Sequence, residues 1–286
     1  MKEKLQKEFQ TRFRTQPKHI FFCPGRINLI GEHIDYNGGR VMPCAISLGT
    51  WLAVGKNNED VFRFQALNFP ESAEIPVQPS YEKNGNEWYY YPLGVINELS
   101  AKGNNFKGLD MLFAGDLPIG SGLSSSASIE VVTIFALDQI FELQIPSKEM
   151  AVLSKKVENE FIGVNSGIMD QFAVVMGRKD HALLLDCDTL EFEYLPLNLD
   201  QYILAIINTN KPRKLVESRY NERYGECRQA LAALQQELNI RHLCEIAPDD
   251  YLAHRHLIND PIIEKRALHV VLENERVEKA VQALKA

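Results

Sequence analysis

Apolar positions alternate along this chain between strand-like runs and helical spacing, and from Pro212 onward the helical spacing takes over. Leu5, Phe9 and Phe13, set among lysines and glutamates, predict an amphipathic helix within residues 1–15. The run Ile20 to Cys23 predicts a strand that stops at Pro24-Gly25. Further strands are expected over Val41 to Val54, Val61 to Ala66 and Phe106 to Ala114, with a surface loop over the acidic, proline-containing stretch Pro70 to Asn86. Ile129 to Phe141 reads as a helix, and so does Lys155 to Glu160, ending near Gly163. Leu183 to Asp186 and Glu191 to Leu195 predict a hairpin, and Tyr202 to Asn208 a strand that opens a second domain. Leu215, Tyr220, Tyr224, Cys227, Ala230, Leu231 and Leu234 then form a helical stripe, and Ile262 to Ala286 is a charged and apolar periodic segment.

Three segments stand out against this frame. The first, PGRINLIGEHIDYN from Pro24 to Asn37, packs arginine, glutamate, histidine and aspartate into fourteen residues. The planar guanidinium of Arg26 suits a carboxylate or a phosphate at the strand end. Glu32, His33 and Asp35 follow Gly31, where a permissive backbone allows acceptors to converge on the hydroxyls of one small ligand. The competing reading is a loop of solvated charges.

The second segment, DLPIGSGLSSSAS from Asp116 to Ser128, leads glycine and serine into a helix. Gly120, Ser121, Gly122, Leu123, Ser124, Ser125 and Ser126 place amides and hydroxyls at a helix start, where the dipole favours an anion. No Gly-Lys-Ser/Thr follows, so this is not the usual P-loop, and a plain Gly/Ser helix cap is the alternative. The third segment, GVNSGIMDQ from Gly163 to Gln171, sets Asp170 beyond a glycine-punctuated loop. An aspartate there suits a general base or an orienting acceptor in phosphoryl transfer, and Glu158 suits sharing a magnesium ion with a serine hydroxyl. Read singly, Asp170 is also a helix cap and Glu158 a solvated helix charge.

Together the three segments resemble the GHMP family of small-molecule kinases, and within it the galactokinases, over residues 18 to 286. The resemblance implies a two-domain α+β fold, with an N-terminal domain like ribosomal protein S5 domain 2 over 1–199. A C-terminal ferredoxin-like GHMP domain is implied over 200–286, with the active site between the two. It implies transfer of the γ-phosphoryl group of MgATP to the C1 hydroxyl of galactose, with Asp170 accepting the proton and Arg26 keeping Asp170 anionic. Glu32, His33, Asp35, Gly167 and Tyr220 are implied to bind the sugar, Gly120 to Ser126 the ATP phosphates, and Ser126 and Glu158 the magnesium ion. Residue physics alone supplies less, namely a grip for hydroxyls, a phosphate cradle and an acidic loop.

One departure tempers this. Galactokinases continue into another glycine-rich motif, whereas no GGGFGG-like run follows Gln171 here. The second domain is therefore expected to be incomplete, with an apolar face exposed on its remaining helices. Alternative functions are a catalytically impaired fragment, a sugar and nucleotide sensor, or a kinase for another sugar such as N-acetylgalactosamine.

Composition changes the picture little. A chain of 286 residues, 45% hydrophobic and 24% charged, is long enough for two domains, and a formal net charge of −7 argues against nucleic acid as a partner. No signal peptide or membrane span is read from it, and its five scattered cysteines carry no metal-ligand spacing, so a cytoplasmic enzyme with reduced thiols is expected. The sequence leaves the oligomeric state open. Lys211 to Lys214 reads as a solvated turn or as a basic cluster that steers nucleotide phosphates. Trp88 to Tyr91 reads either as an adenine wall or as the start of a helix packed on the sheet. Arg266 and His269 have no identifiable chemical partner and are read as structural.

Overall fold

The computed structural model describes residues 1–118, 120–208 and 219–285. The cluster Lys211 to Lys214 and Leu215 of the helical stripe lie outside the described residues. The strands are β1 (His19–Asn28), β2 (Arg40–Val41), β3 (Pro43–Lys56), β4 (Val61–Ala66), β5 (Ala73–Pro76), β6 (Leu109–Gly115), β7 (His181–Asp186) and β8 (Phe192–Pro196). The α-helices are α1 (Lys2–Phe13), α2 (Tyr90–Ala101), α3 (Ser125–Phe141), α4 (Ser147–Lys156), α5 (Met169–Met176), α6 (Arg219–Leu234), α7 (Pro248–His254) and α8 (Pro261–Lys285).

The chain forms two compact units, each gathered from two stretches of sequence: Met1–Gly25 with Ile46–Gly163, and Arg26–Ala45 with Val164–Ala286. This partition is discontinuous, unlike a single boundary at 199/200, because β2 in the early segment pairs with β7 in the late one.

In the first unit the sheet order is β1-β3-β6-β4-β5, with β4 parallel to β6 and antiparallel pairing of β3 with β6 and of β4 with β5. The amphipathic α1 buries Leu5 and Phe9 against Ala53, Leu112 and Ala114 of β3 and β6. Helices α2, α3 and α4 pack on one another. Ser128 of α3 ties its helix to the strands: its hydroxyl donates to the Cys23 carbonyl at 2.9 Å and accepts the Thr50 N–H at 3.2 Å.

Several expectations need correction here. β1 does not stop at Pro24-Gly25 but runs on to Asn28, which puts Arg26 on the strand. It lies at the edge of the sheet, where a residue without an N–H is tolerated. Val41 belongs to β2 in the other sheet, so the expected strand from Val41 is two strands. The stretch Pro70 to Asn86 is not all loop, since β5 pairs there with β4. Tyr90 and Tyr91 do begin a helix, α2, while Trp88 packs edge-on against Phe113 at 5.4 Å between ring centroids.

The second unit holds the antiparallel sheet β2-β7-β8 and a group of helices in which α6 packs against α8 and α8 also meets β2. The expected hairpin is present as β7 and β8, and its turn is fixed by Asp186 Oδ1, which accepts the N–H groups of Asp188 and Thr189 at 3.0 and 2.9 Å. The long α8 starts with Pro261 in its first turn, and Asp260 Oδ1 accepts the Ile262 N–H at 2.7 Å, a side-chain cap. Among the described residues, Tyr202 to Asn208 joins neither sheet, and an apolar run becomes a strand only by joining one. The most exposed large apolar residues fall in this run, with Tyr202, Ile203 and Ile207 at 71%, 87% and 85% exposure, and the expected exposure on helices is also seen, at Leu252 of α7 and at Ile262 and Leu284 of α8. No described helix is long and apolar enough to cross a membrane.

Candidate active site

In the second unit, Arg26 at the end of β1 directs Nε and Nη2 onto Oδ1 of Asp170, at 2.8 and 2.5 Å. Asp170 sits in the first turn of α5, where the helix dipole favours a carboxylate. Burial pulls the Arg26 guanidinium down, but Asp170, Glu32 and Asp35 outweigh it and hold the arginine above its ordinary value.

Asp35 begins a single 3₁₀ turn, Asp35–Asn37, that follows Gly31 and His33. Both Gly31 and His33 are left-handed, with φ of 101° and 63°, so the chain doubles back tightly there. Burial first, then the charges of Asp170 and Glu32, push the Asp35 carboxyl up to about 7. Its Oδ2 lies so close to Gly167 that a Cβ at that position would approach it to 1.9 Å. The Gly167 N–H donates to the Tyr220 hydroxyl at 3.4 Å, and burial together with Asp35 raises the Tyr220 phenol well above its ordinary value. Tyr220 stacks at a tilt on His33, 5.5 Å between ring centroids, and His33 Nδ1 meets the Tyr36 hydroxyl at 2.9 Å. Arg26, Asp35, Gly167, Asp170 and Tyr220 are thus brought together from positions up to 194 residues apart in sequence (220 − 26).

Glu32 is exposed, and its carboxylate accepts from Asn28 Nδ2 at 2.9 Å. Among the described residues, Oδ1 of Asn28 is buried without a hydrogen-bond donor, an orphaned acceptor beside an acidic group. Sequence reasoning gave Asn28 no role and left Arg266 and His269 without partners. Arg266 Nε binds Glu226 Oε2 at 2.8 Å, shared with Arg223 Nη1 at the same distance, and His269 Nε2 donates to the Glu32 carbonyl at 2.9 Å. Glu273 was missed altogether: its Oε1 accepts the N–H groups of Gly31 and Glu32 at 2.8 and 3.1 Å. The readable signal was the spacing of Arg266, His269 and Glu273 at i, i+3 and i+7, a polar stripe on one helix face.

In the first unit, Gly120 and Gly122 have positive φ, 69° and 75°, and Ser124 is left-handed at 58° immediately before α3. The turn is strained, as backbones that approach a ligand often are, and it delivers Ser125 and Ser126 to the first turn of the helix. Glu158 is buried in a single π-helical turn, Val157–Ile162, that continues α4 and ends at Gly163 with φ 92°. Nearby, buried Glu130 accepts from the Ser154 hydroxyl at 2.5 Å, and burial and then the charge of Glu158 hold its carboxyl well above the usual range. Elsewhere Asp188, His242 and Glu245 lie close together, but the Arg241 guanidinium already occupies that cluster, at 2.8 Å from Asp188 and 3.2 Å from Glu245.

Comparison with known proteins gives a consistent result. Residues 7–56 match the galactokinase galactose-binding signature and residues 90–178 the GHMP kinases N terminal domain. The chain is 46% identical over 281 residues to a galactokinase of Lacticaseibacillus casei, covering 97% of this chain and 72% of that protein. It is 47% identical over 285 residues to one of Clostridium perfringens, covering 98% and 73%. In structure it is similar to a Lactococcus lactis galactokinase complexed with galactose, with a TM-score of 0.94, 42% identity, and coverage of 99% of this chain and 74% of that one. A mevalonate kinase of Methanococcus jannaschii, 19% identical with a TM-score of 0.57, shares the fold over 85% of this chain and 80% of its own.

Proposed function

From its membership in the galactokinase family of GHMP kinases, to which this chain belongs, we propose that it transfers the γ-phosphoryl group of ATP to the C1 hydroxyl of galactose. The observation that carries this reading is the two-donor grip of Arg26 on Asp170. A carboxylate oriented by two N–H donors is suited to accept the C1 hydroxyl proton, and the guanidinium has the charge to offset what develops on the transferring group. Glu32, His33 and Asp35 orient the sugar by accepting from or donating to its hydroxyls, and Tyr220 closes the pocket over it. Oδ1 of Asn28, buried and without a donor among the described residues, supports a ligand hydroxyl in this neighbourhood.

The loop Gly120, Ser121, Gly122, Leu123, Ser124, Ser125 and Ser126 takes the ATP phosphates on backbone N–H groups and hydroxyls at the start of α3, a reading supported by its two positive-φ glycines. Ser126 and Glu158 provide the oxygen donors that a hard divalent cation prefers, and the concentration of buried carboxylates at Glu130 and Glu158 suits a positive charge. A magnesium ion held there would neutralise phosphate charge. The chain's own residues supply the rest by positioning: one set orients the acceptor hydroxyl beside its proton acceptor, and the loop amides orient the phosphates. Buried thiols at Cys23, Cys44 and Cys227 favour a reducing, cytoplasmic setting.

The test is incubation with MgATP and galactose, following sugar phosphate, with Asp170→Ala alongside. Product from the wild type and none from the variant is expected. Equal product from both would overturn the role given to Asp170.

A further inference from the structure

The loop that presents Glu32, His33 and Asp35 does not hold its shape through backbone preference. Gly31, His33 and Gly38 all take left-handed φ, 101°, 63° and 72°, and a non-glycine residue in that region costs roughly 1–2 kcal/mol. Such a conformation persists when its surroundings over-determine it. Here much of the determination comes from α8, a helix more than two hundred residues later in the chain. Glu273, 7% exposed, receives the N–H groups of Gly31 and Glu32 on Oε1, while its Oε2 is fixed by Arg276 Nε at 2.8 Å. One turn earlier in α8, His269 donates to the carbonyl of Glu32. The peptides on both sides of Glu32 are therefore bound to one face of one helix, and Asn28 fixes the Glu32 side chain. Further along the same helix, Asn274 Oδ1 accepts the Arg40 N–H at 3.3 Å and Glu278 pairs with the Arg40 side chain at 2.7 Å, so the far end of the loop is also held.

We infer that Glu273 and His269 are positioning residues for sugar recognition, which set the directions in which Glu32 and His33 present their side chains. The inference deepens the galactose reading and rests on it. Burial acts to raise the Glu273 carboxyl, but the Gly31 N–H, Arg276 and the Glu32 N–H outweigh it and keep it below its ordinary value, as an anion accepting several donors should be. A purely structural latch would cost stability without distinguishing one substrate from the other. A positioning latch acts on the sugar and spares ATP.

The experiment compares wild type, Glu273→Ala, Glu273→Gln and His269→Ala by galactose calorimetry without nucleotide, by KM for each substrate, and by melting temperature. Glu273→Ala is expected to weaken galactose binding about tenfold or more, with the KM for ATP changed less than about twofold and kcat less than about threefold. Glu273→Gln keeps an oxygen that accepts both N–H groups, so its galactose affinity should return to within about threefold of wild type. Should Glu273→Ala fail to fold, His269→Ala decides, with about threefold weaker galactose binding expected. A variant that melts lower yet binds galactose as wild type does overturns the inference while leaving the galactose reading in place. A wild-type chain that binds ATP but no galactose overturns the galactose reading and this inference with it.

Discussion

Arg26 and Asp170, 144 residues apart in sequence, meet through two guanidinium nitrogens on a single carboxylate oxygen. That geometry needs the planar fork of arginine, since an ammonium offers no second nitrogen. Arg26→Lys should therefore keep a positive charge and still lose much of the rate. A fall in kcat of about 10- to 100-fold is expected, with galactose affinity measured by calorimetry changed far less. A lysine variant with wild-type kcat would show that charge alone suffices and that the fork has no catalytic part.

Asp35 gives a pH dependence whose sign can be worked out. Its carboxyl is raised from 3.8 to about 7 in the folded chain, by burial and by the charges of Asp170 and Glu32. Between these values the unfolded chain has lost the proton and the folded chain retains it, so folded molecules bind more protons and stability falls as pH rises. Below the lower value the penalty vanishes, and above about 7 it is constant. Asp35→Asn removes the titration. Its unfolding free energy relative to wild type, from denaturant titration, should climb between pH 4 and 7 by an amount on the order of 2 kcal/mol in the ligand-free chain, allowing for partial solvent screening. A pH-independent difference between the two would mean that Asp35 is already ionised throughout this range.

How much of this site was legible beforehand depended on whether its parts were local. The segments Pro24 to Asn37 and Gly163 to Gln171 each carry their chemistry in consecutive residues, so Arg26, Asp35 and Asp170 stood out by residue type alone. Tyr220 did not, because a tyrosine in a helical stripe reads as core, and only family resemblance promoted it. The contribution of α8 was hidden for a different reason: Glu273 and His269 bind backbone groups, and backbone groups leave no mark in sequence at their own positions. The strand β1 was underestimated because a proline breaks a central strand but not an edge. The strand expected over Tyr202 to Asn208 was overestimated because an apolar pattern does not by itself place a run in a sheet. The π-helical turn around Glu158 has no residue signature at all, although such turns recur at functional sites.

Glu158 allows a test of the cation reading that does not depend on overall rate. Glu158→Gln preserves shape and removes one anionic oxygen donor from the buried turn. Its activity should require about tenfold more magnesium for half-saturation, while maximal rate at high magnesium recovers in part. Magnesium titration of both proteins at fixed ATP supplies the check. Identical half-saturation would remove Glu158 from the ligand set and leave its burial as a matter of packing.

Gly167 offers the sharpest steric prediction. Its φ is not in the left-handed region, so the backbone itself would accept another residue there. What forbids one is Asp35, since a Cβ at position 167 would stand 1.9 Å from Oδ2, 2.3 Å from Cγ and 3.0 Å from Cβ of that side chain. No rotamer change at the tip of Asp35 relieves a contact that also reaches its Cβ, so the carboxylate must be displaced as a whole. Gly167 also donates its N–H to Tyr220, and a displaced loop would loosen that bond. Gly167→Ala should therefore cost galactose affinity by about tenfold or more, with the fold retained and the KM for ATP little changed, because the lost contacts lie among the residues proposed to bind the sugar. A second change, Asp35→Ala, makes room for the new methyl group. If the clash is the cause, the double variant should bind galactose no worse than Asp35→Ala alone, and calorimetry on the three proteins measures this non-additivity directly. Strictly additive losses would mean that Gly167 acts through something other than Asp35.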